Sequence, residues 1–246
     1  MKRTRVYLAV SAVMIMAACS KEKEQQQGIT ESQAAEVVSA SVSKDYGGLS
    51  WELRSLTQRL VFPTKKNGTE AVTVFALCDT TITDTIQHSA SGLNISWDFY
   101  LDYANSYVCN PSQDLQTVQL VTNKSGNYTG PHLSSAYQCN ADWSVSNLEP
   151  GLTDVLFNGK LHRNGDHTLT DDNGNSFSAK GSIDLDVNNV SVTRFLGMTQ
   201  SGTANLVLTG SNSNGVSYNY VGSIQFLGNH KATLTINGNT YNITVW

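Results

Sequence analysis

The sequence contains little charge and no concentration of positive charge. Of 246 residues, 15% are Asp, Glu, Lys or Arg, and the formal net charge is −4. Because clustered Lys and Arg are needed to neutralise phosphates, this composition argues against nucleic-acid binding. The hydrophobic fraction of 39% is enough to build one ordinary core, so a fully disordered chain is excluded as well.

Long apolar runs and familiar catalytic motifs are also missing. The longest apolar run, near the start, has about 13 residues, whereas a membrane-spanning helix needs about 20. No Gly-x-Ser-x-Gly elbow, phosphate-binding loop or zinc-protease helix occurs in the sequence. The sequence therefore predicts no polytopic membrane domain, and it assigns no catalytic residue, metal or cofactor.

The N-terminus has the organisation of an export signal. Basic residues at 2–5 precede an apolar stretch at 6–15 and the sequence Met-Ala-Ala-Cys at 16–19. This order resembles the signal of bacterial lipoproteins. The resemblance implies that residues 1–18 are removed and that the Cys19 thiol carries the lipid that anchors the protein to the outer membrane. The alternative is an ordinary secretory signal with an incidental cysteine.

A polar tether at residues 19–29 follows the signal. It is rich in Lys, Glu and Gln and has nothing to bury, so we interpret it as solvated. Removal of the signal leaves 13 basic and 20 acidic residues, a net charge of −7, which disfavours electrostatic attachment to an anionic membrane. The mixture of Lys and Glu after Cys19 is similar to the surface-export signals of lipoproteins in the Bacteroidota, which implies exposure at the cell surface. A spacer on the periplasmic face is the alternative.

Residues 30–62 form a helical segment by their periodicity. Thr30 and Gln33 have the spacing of a capping box, which predicts a helix near residues 31–42. Leucines spaced by 4, 3 and 4 predict a second helix near residues 50–61 with one apolar side, at positions Leu49, Leu53, Leu56 and Leu60.

Beyond residue 62 the hydrophobic period changes to two. Alternating or apolar runs predict strands at 72–77, 93–103, 115–121, 155–161, 183–187, 204–209, 216–226, 232–236 and 241–245. Asn-Gly pairs, which favour hairpin turns, occur at 67–68, 164–165, 173–174, 214–215 and 237–238. We therefore predict that residues 63–246 form an all-β domain, an antiparallel meander of about eight to eleven strands curled into a barrel-like or half-barrel sheet. A two-sheet β-sandwich is the alternative.

For the last two hairpins the sequence also predicts which residues pair across the strands. A two-residue turn at Asn237-Gly238 places Leu234 opposite Tyr241 on one apolar face. Pairing Phe226 with Ala232 in the preceding hairpin requires a three-residue loop at 228–230, with one residue in the left-handed region.

Several sequence segments resemble a known group of proteins. The segments 28–36, 45–49, 222–229 and 236–241, behind the lipoprotein signal, are similar to surface lipoproteins of the Bacteroidota that have no established activity. The resemblance spans most of the chain. It implies an outer-membrane lipoprotein and supplies no reaction and no site residues.

Three cysteines remain once Cys19 is lipidated, and they lie in an oxidising compartment. Three pairings are open. We favour Cys78 with Cys109, because both end strand-like runs and are placed to meet across neighbouring strands. Cys139 is then either packed or, as a less favoured hypothesis, a nucleophile.

Other polar clusters allow weak site hypotheses. A turn at 164–165 would bring His162 and His167 together as metal ligands, although the register does not separate the faces. The segment 171–175 lacks the spacing of a calcium loop and predicts a polar hairpin turn. Two pairs of Asp residues each lie on one face of a strand, Asp98 with Asp102 and Asp184 with Asp186. Paired carboxylates on one surface are what a glycosidase needs. These residues alternate with apolar ones, however, which predicts that they face solvent.

Two functional hypotheses follow. The first is a membrane-anchored, non-enzymatic lipoprotein that binds a ligand, a glycan or a partner protein at the cell envelope. Aromatic residues could stack on sugars, although core packing is the default for Trp51, Trp97, Trp143, Trp246, Tyr100, Tyr103 and Tyr107. The second is a lipid-anchored hydrolase whose site is assembled from residues distant in sequence.

Overall fold

The computed structural model describes residues 28–60, 65–66, 69–70, 77–171 and 173–245. The signal with Cys19, the tether up to residue 27, most of the strand predicted at 72–77, the turn at 67–68 and Trp246 lie outside the described residues. The helices are α1 (Glu31–Val42) and α2 (Leu49–Thr57), with a short 3-10 helix at Lys44–Tyr46. The strands are β1 (Lys65–Lys66), β2 (Thr69–Glu70), β3 (Thr81–Ser91), β4 (Ser96–Cys109), β5 (Leu115–Thr129), β6 (Leu133–Ser146), β7 (Asp154–Thr170), β8 (Ser176–Thr193), β9 (Thr199–Asn212), β10 (Ser217–Gly228), β11 (Lys231–Ile236) and β12 (Asn239–Thr244).

Ten strands form one antiparallel sheet in sequence order, from β3 at one edge to β12 at the other. This confirms the predicted all-β meander with N-terminal helices. The two edge strands do not pair within the described residues, so the sheet is not closed. The sandwich alternative is wrong, because all ten strands belong to a single sheet.

The helical segment begins as predicted. Thr30 caps α1 through the backbone N–H of Gln33, and the Gln33 side chain accepts from the Thr30 backbone N–H. The second helix ends at Thr57, four residues before the predicted end. The backbone N–H groups of Arg59 and Leu60 both donate to the Leu56 carbonyl, a tight turn that stops the helix.

Several strands are longer than their apolar runs suggested, and two strands of the ten-stranded sheet, β3 and β6, were not predicted. In β3 only one residue, Ile86, is buried, so the sequence shows no alternation of apolar residues there. In β6 the buried positions include Ser135, Cys139 and Ala141, which weaken the apolar signal.

The predicted turn at Asn164-Gly165 is wrong. Both residues lie in the middle of β7, where Asn164 pairs with Gln138 and Gly165 pairs with Tyr137. A Cβ at position 165 would lie 2.7 Å from the Ala136 carbonyl oxygen, so the glycine serves close packing within the sheet. The pairs at 173–174, 214–215 and 237–238 do connect strands, as predicted.

The C-terminal register is confirmed. Leu234 pairs with Tyr241, and Phe226 pairs with Ala232. The loop between β10 and β11 differs from its prediction. It is a two-residue turn at 229–230 next to a bulge at Gly228, and all three residues, instead of one, have positive φ.

The helices cover the apolar face of the sheet. Leu49, Leu53 and Leu56 are fully buried. They belong to a core cluster that also contains residues from every strand from β3 to β12. At one side of the sheet the Tyr220 hydroxyl donates to the Ile29 carbonyl at 2.6 Å, and at the other Trp51 packs on Phe99 with 4.2 Å between ring centroids. The helical segment and the sheet therefore share a single core.

The predicted disulfide is present between Cys78 and Cys109, with 5.5 Å between their Cα atoms. Cys78 precedes β3 and Cys109 ends β4, so the bond joins an edge strand to its neighbour. Cys139 is free and buried.

We expect loss of this disulfide to lower the free energy of unfolding by about 3 to 4 kcal/mol, because it closes a loop of about 30 residues in the unfolded chain. Urea unfolding of a Cys78→Ser/Cys109→Ser double variant measures the effect. Wild-type protein with reductant is the matched control and should unfold at the same urea concentration as the variant. Equal stability of oxidised and reduced wild type would contradict the prediction.

Candidate functional site

A buried ion pair holds the helices on the sheet. The Glu52 carboxylate of α2 is completely buried and accepts hydrogen bonds from Lys124 Nζ at 2.6 Å, Thr122 Oγ1 at 3.0 Å and Trp143 Nε1 at 3.2 Å. Lys124 also donates to the Gly47 carbonyl at 3.2 Å. Burial by itself would lower the pKa of Lys124, but the Glu52 carboxylate outweighs it and the net shift is upward.

Cys139 lies next to this pair and is unsuited to act as a nucleophile. Its cross-strand neighbours are Lys124 and Arg163. Burial raises the pKa of the Cys139 thiol to about 12, so the thiol stays protonated at neutral pH. Cys139 is therefore a packed thiol, as favoured from the sequence.

The hypothetical His162–His167 metal site is not formed. With no turn at 164–165, the two residues sit five positions apart on one strand and point to opposite faces of the sheet. His162 lies on the outer face, where its Nδ1 is 2.7 Å from Asp184 Oδ1, while His167 is buried on the inner face. Among the described residues no group of three or more His, Cys, Asp or Glu could hold a metal ion.

The other acidic candidates face solvent, as the alternation of apolar and polar residues predicted. Asp98, Asp102, Asp184 and Asp186 all alternate with buried residues and face solvent. Asp171 accepts from the backbone N–H groups at 173 and 175 and closes a polar hairpin turn.

The solvent-facing side chains of β3 to β9 form a continuous surface that we name the polar face. In-register pairing builds it as rows that cross the strands. One row contains Tyr100, Ser125, Gln138 and Asn164, and the next contains Asp102, Asn123, Asn140, His162 and Asp184. Most side chains in these two rows therefore carry an uncharged amide or hydroxyl group, and the others are two Asp residues and one His.

Four depressions indent the polar face and share lining residues. The central one has a volume of about 260 Å³ and is lined by both rows. A depression of about 550 Å³ shares Tyr100 and Gln138 with it and continues past Asn127 and Asp166. Those last two residues also line a depression of about 620 Å³, and a fourth, of about 470 Å³, shares Asp102 with the central one. Because neighbouring depressions share lining residues, we describe the four together as the groove, which spans β3 to β9, about 30 Å at about 4.8 Å per strand.

Among the Trp and Tyr residues considered from the sequence, one ring is exposed in the central depression. Tyr100 is 46% exposed in the central depression, whereas Tyr103, Tyr107, Trp51 and Trp143 are buried. Most of the aromatic set considered from the sequence thus belongs to the core, which was the default interpretation.

No sequence pattern directly indicates this groove, because its rows depend on the register of five or more strands. A local signal did exist: Asn123, Ser125 and Asn127 alternate with buried positions of β5, and Lys124 occupies one of those buried positions. A charged residue in the apolar phase of a strand predicts a buried partner.

No known protein family, curated protein or solved structure matches the chain. Among the described residues, no helix is both long enough and apolar enough to cross a membrane.

Glu52→Gln and Lys124→Met are each expected to lower the free energy of unfolding by about 3 to 5 kcal/mol, because each leaves the other charge buried and unpaired. The double variant should lose less free energy of unfolding than the two single variants lose together. Urea unfolding of all three variants provides the measurement. Lys180→Met, which breaks an exposed pair with Asp166, is the matched control and should change stability little. Equal effects of Lys124→Met and Lys180→Met would contradict this role.

Proposed function

We propose that the protein is a non-enzymatic, lipid-anchored protein of the cell envelope that binds a neutral glycan along the polar face. The observation that carries the proposal is the groove itself, which is continuous over seven strands and lined mainly by uncharged hydrogen-bonding side chains. The central depression around Tyr100, Gln138, Asn140 and His162 is the part best suited to hold a sugar ring.

The chemistry of the groove suits sugars. Each sugar hydroxyl both donates and accepts hydrogen bonds, and the amides of Gln138, Asn140 and Asn164 offer both functions on one planar group. The exposed ring of Tyr100 supplies an apolar surface against which the C–H groups of a sugar can pack. Asp102 and Asp98 disfavour an anionic ligand such as a phosphorylated sugar.

The same surface is poorly suited to a large protein partner. Protein interfaces draw their affinity from buried clusters of aromatic and Arg anchors. In the central depression Tyr100 is the sole aromatic group, and none of its lining residues is Arg. This composition supports a polar ligand over a partner protein.

Two further observations support binding over catalysis. Cys139 is buried as a neutral thiol. His162 and Asp184 form a pair that resembles part of a catalytic triad, but no Ser, Thr or Cys of the described residues hydrogen-bonds to His162. The pair therefore lacks a nucleophile to activate.

The proposed anchor would keep the groove near the membrane. The Ile29 carbonyl accepts a hydrogen bond from Tyr220, and residues 20–28 separate Ile29 from the lipid on Cys19. A chain of nine residues reaches at most about 30 Å. Two or three acyl chains would make such attachment effectively stable.

Glycan binding is expected to depend on the central depression. In native gels cast with a neutral polysaccharide, such as dextran, laminarin, xylan or starch, the wild type should be retarded by at least one of them. Tyr100→Ala and Asn140→Ala should each weaken binding about five- to twelvefold, since each removes a group worth about 1 to 1.5 kcal/mol.

Thr203→Ala and Gln225→Ala are the matched controls for this experiment. Both positions are exposed on the same side of the sheet but outside the groove. Their retardation should equal that of the wild type. Loss of binding in the controls, or wild-type binding by Tyr100→Ala, would contradict the assignment of the site.

Cys19→Ser is expected to abolish incorporation of radiolabelled palmitate and to release the protein from the membrane fraction or leave it unprocessed. The physical reason is that the proposed lipid is the membrane attachment. Lys21→Ser, which changes the tether and keeps Cys19, is the control and should remain labelled. Unchanged fractionation of Cys19→Ser would refute the anchor, and resistance of the domain to protease on intact cells would place it on the periplasmic face.

A further inference from the structure

The buried face of β6 and β7 carries a positive charge that forms an ion pair with no acidic group of the described residues. Arg163 is 4% exposed, and its Cζ lies 3.7 Å above the centre of the Tyr137 ring. Within the described part of the chain, no atom accepts a hydrogen bond from Arg163 Nε, and no carboxylate forms an ion pair with the guanidinium.

Three neighbouring groups are also buried without a hydrogen-bond partner among the described residues: Ser135 Oγ, Tyr137 Oη and His167 Nδ1. Their positions in the sheet bring them together. Ser135 pairs with His167, and Tyr137 pairs with Gly165, which lies between His167 and Arg163 on β7. Buried polar atoms almost always have a partner in the protein or in ordered water, so four orphaned atoms in one two-stranded patch indicate that the patch holds water or an ion.

The charges around Arg163 do not cancel its own. Lys124 is neutralised by Glu52 through their 2.6 Å contact. Burial raises the pKa of Cys139 to about 12, which keeps that thiol neutral. Burial, helped by the charge of Arg163, lowers the pKa of His167 to about 4, which keeps the imidazole neutral at pH 7. One net positive charge therefore remains in the patch, and an uncompensated buried charge is strongly unfavourable.

We propose that Arg163, together with Ser135, Tyr137 and His167, forms a buried binding site for a small monovalent inorganic anion of the size of chloride. The guanidinium supplies the balancing charge. The two hydroxyls donate hydrogen bonds, and a neutral histidine donates from Nδ1 in one of its two tautomers. Arg163 lines none of the depressions of the polar face, whereas Ser135 and His167 line the depression of about 620 Å³ and Tyr137 lines that of about 550 Å³, so the proposed site adjoins the groove.

Thermal unfolding at constant ionic strength tests the proposal, with potassium chloride exchanged stepwise for potassium gluconate. A ligand that binds the folded state raises the melting temperature as its concentration rises. The wild type should melt at increasing temperature as chloride replaces gluconate, and Arg163→Gln should lose this dependence. Lys180→Gln, which removes an exposed positive charge, should keep it and serves as the control for general salt effects.

A second measurement uses only the wild type, so it does not depend on the folding of Arg163→Gln. Crystals soaked in sodium bromide should show an anomalous scattering peak in contact with the Arg163 guanidinium. A water molecule there, or no peak, would overturn the proposal, since water satisfies hydrogen bonds but leaves the charge unbalanced. A bromide peak without any chloride dependence of the melting temperature would also overturn it, because the ion would then be adventitious.

Discussion

The structure depends on one buried ion pair, Glu52 with Lys124. A lysine in the middle of an apolar sheet face is tolerated only if an acidic group meets it, and the group that does so comes from α2. The sheet in turn needs the helices, because its apolar face would otherwise be exposed to water. Helical segment and sheet, which sequence periodicity separates at residue 62, are thereby joined in one core.

The location of the candidate site follows from this arrangement. Successive residues of a strand point to opposite faces, so every side chain buried under the helices has a neighbour on the open face. Lys124 faces Glu52, while Asn123 and Ser125 beside it face the groove. Since the helices pack on one face, the other is exposed to solvent across many strands. The polar character of that face also protects so wide a sheet from association through exposed apolar surface.

Local chemistry explains which parts of the fold were predictable. The capping box, the leucine spacing and the Asn237-Gly238 hairpin each depend on residues within a few positions of one another, and each was predicted from the sequence. The disulfide was predictable because the two cysteines lie where neighbouring strands meet: Cys78 comes just before β3, and Cys109 ends β4. Asn164-Gly165 shows the limit of such reasoning. The same dipeptide that makes a turn elsewhere lies inside β7, because long-range pairing with Gln138 and Tyr137 outweighs its turn preference.

The groove was beyond prediction from the sequence for the same reason, since it exists only when the strands are paired in register. A slip of β5 by one residue would exchange its two faces. Lys124 would then point to solvent, Asn123 or Ser125 would face the helices, and the Glu52 carboxylate would stay buried with its cationic partner removed. Such a state is disfavoured by about 3 to 5 kcal/mol on the scale of broken buried pairs. Glu52 and Lys124 therefore do more than attach a helix. By making the slipped register unfavourable, they hold Asn123, Ser125 and their cross-strand neighbours on the open face, where the rows of the groove assemble.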